Sequence, residues 1–222
     1  WNAMLRIVFE KTGDAVWISH LDLMRLFQRA FKRAGLPLTH TQGYNPRPSV
    51  SIALPLSVGV ESRCELLDFT LDTENVDISK LPQMLNEKLI PGVRVLEAYE
   101  GGRKLKELSL MKAQIALIYD NGIPEGAQEQ IERLFSQEEL IVSKKSKNGV
   151  VDQNISQMIR KIAVHSDGDR HILLDAVICC QNPTLNPMQL VTAVEKYLPG
   201  LSPDDCTCLR LDVYDENEGI FR

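Results

Sequence analysis

Three arginines, Arg25, Arg29 and Arg33, recur at i, i+4 and i+8, a spacing that sets guanidinium groups in a row along one side of a helix. Like charges so placed repel by roughly a few tenths of a kcal/mol per pair, so the row calls for solvent, acidic neighbours or an anionic ligand. A guanidinium fork suits phosphate because it donates to two oxygens at once. A solvated outer face accounts for the same row if the helix is taken alone. The segment directly after it, THTQGYNPRPSVSIALPLSVGVES over 39–62, adds His40, Gln42, Tyr44, Asn45 and Arg47 within a few residues. Gly43 permits a turn that other residues resist, and Pro46 and Pro48 stiffen the chain around Arg47. Tyr44 offers a stacking face, while His40, Gln42 and Asn45 offer donors and acceptors suited to base edges. Unpaired RNA bases are held in this way, with arginine on the backbone. The alternative is a hairpin-like connection whose tyrosine and asparagine satisfy local backbone groups.

His20 precedes the arginine row at the predicted helix start, where the dipole disfavours its cationic form. A neutral imidazole there can take a proton, and with His40 it would form the general acid and base of metal-independent RNA cleavage. The alternative is a local hydrogen bond that orders the helix entry. His165 and His171, with Asp167 and Asp169, could ligate a metal or line a solvated turn. The five cysteines are Cys64, Cys179, Cys180, Cys206 and Cys208. The odd count and the lack of Cys-x-x-Cys argue against a disulfide framework. Cys179-Cys180 and Cys206-x-Cys208 would make a metal site only on adjacent strands; otherwise they are small apolar residues. No P-loop, dinucleotide-binding glycine fingerprint or Gly-x-Ser-x-Gly elbow occurs.

The chain that must position these residues has 222 residues, 44% hydrophobic and 25% charged, an ordinary globular composition. Net charge is −5 overall. Residues 1–50 carry seven Lys/Arg against three acids, a local +4, which leaves −9 for the rest. A basic end on an acidic chain focuses an anionic ligand locally. Trp1-Asn2-Ala3 before Met4 reads as an expression remnant. No apolar run approaches the roughly 20 residues of a membrane span, and 4–10 reads as a strand, so a cytoplasmic protein without a membrane partner is expected.

Alternation and periodicity predict a strand over 4–10, then a helix over 20–34 opened by Ser19 and Asp22 in a capping-box-like pair. Gly35 and Pro37 stop it. Strands follow over 50–54 and 64–71, a helix over 78–89 and a strand over 93–99. The linker is placed at 101–111. The order then repeats with a strand over 113–119, a helix over 124–135, strands over 140–145 and 172–180, a helix over 187–197 capped by Asn186, and a strand over 207–214. An insertion is expected near 148–168. The fold class is α+β, with two ferredoxin-like (βαββαβ) subdomains in tandem over 4–100 and 112–222.

Several motifs carry a resemblance: Ile18-Ser19-His20-Leu21-Asp22, Arg33-Ala34-Gly35-Leu36-Pro37, Gln42-Gly43-Tyr44-Asn45-Pro46-Arg47-Pro48, and Leu54-Pro55-Leu56-Ser57-Val58-Gly59-Val60-Glu61-Ser62. In these the chain resembles the radical SAM-linked family, a bacterial domain of unknown function. Its members are fused to the C-terminus of an atypical radical SAM protein or encoded beside one. The first third matches closely and the remainder matches in length and element order. Members carry an Asp-Ile-Arg-Pro-like motif in the second half; here Val151-Asp152-Gln153-Asn154-Ile155 lacks the Arg-Pro. The resemblance implies a partner that holds the iron–sulfur cluster and S-adenosylmethionine, because the radical SAM cysteine triad is missing from this chain. No cofactor and no metal are expected here. A looser likeness is to the tandem ferredoxin-like ribonucleases that process CRISPR repeat RNA.

Three functions follow as expectations. The first is an accessory module that binds RNA or another phosphate-bearing ligand through Arg25, Arg29, Arg33, Gln42, Tyr44, Asn45 and Arg47. The second is an endoribonuclease using His20 and His40. The third is a docking domain for the radical SAM partner without nucleic acid.

Overall fold

The computed structural model describes residues 3–222; Trp1 and Asn2, read above as part of an expression remnant, lie outside the described residues. The chain divides into two compact units, one running to Glu107 and including Arg222, the other Leu108–Phe221.

The first unit contains β1 (Leu5–Lys11), α1 (His20–Arg33), β2 (Val50–Ile52), β3 (Glu61–Phe69), α2 (Leu81–Asn86) and β4 (Val93–Glu100). β1 pairs antiparallel with β3 and with β4, and β2 pairs with the outer side of β3. The resulting order β4-β1-β3-β2 is that of a ferredoxin-like sheet. Odd residues of β1, Leu5, Ile7 and Phe9, join Leu23, Phe27, Ala30 and Phe31 of α1 in one core. The Phe9 and Phe27 ring centroids lie 4.7 Å apart, as do those of Phe31 and Phe69. Truncating such a ring costs about 3–5 kcal/mol. On β1 the Arg6 guanidinium is 1% exposed and grips Asp68 of β3 at 2.6 and 3.0 Å. Gly102 passes over that guanidinium so closely that a Cβ would stand 2.7 Å from it.

The second unit contains β5 (Leu110–Ile118), α3 (Ala127–Phe135), β6 (Ile141–Ser146), β7 (Gly149–Asn154), β8 (Ile159–Asp167), β9 (His171–Cys179), α4 (Met188–Tyr197) and β10 (Asp205–Tyr214). β5 pairs with β9 and with β10, and β8 pairs with β9, giving β10-β5-β9-β8, the same order. Burial alternates along β5 and β9, as a sheet with one covered face requires.

Two local expectations change. The strand predicted over 140–145 does not join this sheet; it pairs with β7 as a separate hairpin. The second strand of the unit is β8, so the insertion is the hairpin and spans 141–154. The reason is visible in β6, where only Val142 is buried and 143–146 are exposed. At α4, the Asn186 side chain accepts the Met188 N–H at 3.0 Å, but the helix begins at Met188, with Pro187 in the cap position. None of the described helices is long and apolar enough to cross a membrane.

Candidate functional site

The entry to α1 is held from below. Ser19 is the N-cap, and its hydroxyl accepts the Asp22 N–H at 3.2 Å. One residue earlier, the Ile18 carbonyl accepts a 2.6 Å hydrogen bond from the Lys11 ammonium, which is fully buried. Burial lowers the Lys11 pKa, and the charge of Glu65 works against that shift. Ser62, also fully buried, donates to Glu65 at 2.7 Å. Gly59 donates to the Val16 carbonyl at 2.8 Å and sits at φ +87, where a Cβ would meet the Trp17 ring at 3.4 Å. Much of Ile18–Asp22 and of the 54–62 motif is therefore spent on fixing the start of this helix.

The exit is a Schellman motif. Gly35 at φ +71 donates to Lys32, and Leu36 donates back to Phe31 at 2.9 Å. That turn folds Leu36 onto the core and sends Pro37 and Leu38 alongside the helix. Leu38 bridges to Leu71, and His40 bridges to Pro48. Thr41 and Arg47 then close the base of the exposed 41–47 loop: the Thr41 N–H reaches the Arg47 carbonyl at 2.8 Å, and the Arg47 N–H reaches the Thr41 hydroxyl at 3.0 Å.

Between the helix and the returning chain lies a cleft of about 920 Å³. One wall carries Arg25, Gln28, Arg29 and Lys32; the other is Leu36, Pro37, Leu38 and Pro48, with His40 at the side. Arg33 does not line it. At about 100° per residue, Lys32 falls about 20° to one side of Arg25, whereas Arg33 falls about 80° to the other. The row read at i, i+4 and i+8 drifts round the helix, and the cleft takes its third cation from Lys32 instead.

Arg25 lies 3.4 Å from Asp22, but both side chains are mostly exposed, so the pair is weak. The Arg29 Nε donates to the Arg25 carbonyl at 3.4 Å, a long bond. Among the described residues no ion pair reaches Arg29, Lys32, Arg33 or Arg47. The C-terminal half of α1 carries the negative end of its dipole, which favours these cations and disfavours an anion. An anion here would be held by side chains alone.

Of the predicted site residues, the cleft gathers Arg25, Arg29 and His40. Gln42, Tyr44, Asn45 and Arg47 stay on the exposed loop, and Tyr44 is 100% exposed. His20, nine residues before Arg29, lies about 14 Å back along the helix axis and does not line the cleft. Gln28, Lys32, Leu38 and Pro48 were missed; the helical period picks out the first two, but nothing local in the sequence returns the other two to the helix.

Elsewhere, β5 separates β9 from β10, so Cys179-Cys180 and Cys206/Cys208 are not on adjacent strands. Burial pushes the Cys180 thiol up to about 12 and the Cys208 thiol up to about 11. His165 stands 3.6 Å from Asp175. Among the described residues no group of three His, Cys, Asp or Glu side chains converges on a metal position.

A family model for an uncharacterized protein conserved in bacteria (DUF2344) matches residues 4–187. The chain belongs to that family. No curated protein matches it. Among solved structures it is similar to an unknown protein from Galdieria sulphuraria, at 9% identity and a TM-score of 0.28, over 95% of this chain and 99% of that one. It is also similar to a chain of a Cbf5-Nop10-Gar1 complex, at 12% identity and a TM-score of 0.47, over 96% of this chain and 50% of that one. Likenesses this loose carry no functional argument.

Proposed function

We propose that this member of an uncharacterized bacterial family is a binding module for RNA or another phosphate-bearing ligand. It takes its ligand at the α1 cleft and serves as an accessory to a radical SAM protein. The observation that supports binding is the cationic wall of Arg25, Arg29 and Lys32, loosely neutralised at Arg25 and, among the described residues, without an ion pair at the other two. The family resemblance supports the partner, which would carry the iron–sulfur cluster and S-adenosylmethionine. The chain's own residues bind and orient; the chemistry lies on the other polypeptide. The cleft holds one imidazole, that of His40, so the two-histidine ribonuclease reading gains nothing from this geometry.

Fluorescence anisotropy of a labelled RNA strand tests the reading. Three cations that each meet one phosphate predict a slope of roughly −2 in log affinity against log salt. That is about a twentyfold loss between about 50 and about 200 mM salt. A flat response, or no binding, overturns it. Co-purification with the radical SAM partner that survives RNase, in a chain that binds no RNA, would replace it with protein docking.

A further inference from the structure

We infer that the cleft accepts one unpaired nucleotide with its base turned inward, and therefore selects single-stranded over duplex RNA. This rests on the RNA reading above and adds the form in which the RNA is held. The two walls differ in kind. All the cations stand on α1; the opposite wall, Leu36 to Leu38 with Pro48, has no charged side chain. A ligand that fills the cleft must be anionic on one side and flat and weakly polar on the other. The cleft is open to solvent, and its volume of about 920 Å³ has room for a nucleotide and is far too large for a lone phosphate. A duplex presents phosphates and 2′-hydroxyls while its bases face inward, so it would leave the apolar wall bare. A splayed-out nucleotide satisfies both walls: phosphate toward Arg29 and Lys32, base against Leu38 and Pro48, base edge toward Gln28 and His40.

The loop supports the same form. It springs from the His40–Pro48 bridge at the side of the cleft, and its tip carries Tyr44, fully exposed. A tyrosine ring in water with no protein contact is a stacking surface for a second unpaired base.

The test is a binding comparison by anisotropy with three probes: a short mixed-sequence RNA strand, the same strand annealed to its complement, and an abasic ribose-phosphate strand of equal length. The strand with bases should bind about tenfold more tightly than either of the others, since stacking of a base on the protein adds to the phosphate contacts that all three probes share. Leu38→Ala should shrink that preference and leave the salt slope intact, whereas Lys32→Ala should lower the slope and leave the preference. Gln28→Ala, on a half-buried surface position, provides a second base-side variant should Leu38→Ala fail to fold by circular dichroism. Equal binding of strand, duplex and abasic strand overturns the inference and leaves the RNA reading in place; absence of binding by all three overturns both.

Discussion

The two units share one sheet order, strand four beside one, then three, then two, yet they elaborate it differently at the same point in the chain. In both, the extra material falls between the first helix and the second strand. In the first unit that interval is 34–49, and it folds back along α1 to make the cleft. In the second it is 136–158, and it runs out into the β6–β7 hairpin, which exposes Lys144, Lys145 and Lys147. The hollow beside α3, the counterpart of the α1 cleft, measures about 380 Å³ and carries Glu139 as well as Arg133. What separates the units is the helix exit. Gly35 and Pro37 turn the chain back on α1, whereas Ser136 and Gln137 bond to the last carbonyls of α3 and let the chain leave. The scaffold supplies a place for a site, and the loop after its first helix decides whether a site forms there.

The units should also fail differently. Asp68→Ala removes the carboxylate from the buried Arg6 guanidinium of the first unit and leaves it its contact with the Tyr99 hydroxyl, so the cost should approach the roughly 3–5 kcal/mol of breaking a buried ion pair. Chemical denaturation should show an early transition that spares the second unit, followed through an amide probe in β5. A single unshifted transition would show that the pair contributes little. Alkali should act in the reverse direction. Unfolded thiols lose their protons near pH 9, while folded Cys180 and Cys208 keep theirs to about 12 and about 11, and folded Tyr119 is likewise pushed from 10 up to about 12. Above pH 9 the unfolded state binds fewer protons than the folded one, so stability falls as pH rises to about 12. All three groups lie in the second unit. That unit should loosen first between about pH 9 and 11, and Cys180→Ala with Cys208→Ala should flatten the dependence after the loss from the cavities is subtracted.

Much of this was legible beforehand. Ser19 and Asp22 announced the start of α1, Gly35 and Pro37 its end, and the apolar run over 172–180 announced β9. What stayed hidden has physical causes. Lys11 lies one residue past the strand expected over 4–10, beyond a register shift that follows Phe9, so alternation gives no guide to its burial; inside, its ammonium donates to the Ile18 carbonyl and Glu65 supplies a nearby charge. The hairpin was misread because Leu140 and Val142 look like a strand of the main sheet, although nothing beyond Val142 is buried. The cleft's far wall depends on a Schellman turn and two isolated bridges, which join residues through space and leave no period in the sequence.

The smallest effect bears on where the site ends. Arg29 and Arg33 are both exposed arginines on α1, one turn apart, and neither has an ion-pair partner among the described residues. Arg29 lines the cleft and Arg33 does not. Replacing Arg33 by alanine removes a cation that complements the helix dipole, worth about 0.3–1 kcal/mol in the last turn. Replacing Arg29 touches stability less and binding more. If the ligand is confined to the cleft, Arg29→Ala should weaken RNA binding by about tenfold and reduce the salt slope by about 0.7, the share of one single-strand phosphate. Arg33→Ala should leave both within about twofold of the parent, since a charge separated from the ligand by solvent is screened within about 10 Å at 0.1 M salt. Equal losses from the two would mean that the backbone runs on past the cleft along the outer face of α1. The site would then be a groove that follows a strand, no longer a socket for one nucleotide, and the contrast with α3 would lie in the charge of the helix and not in the turn that ends it.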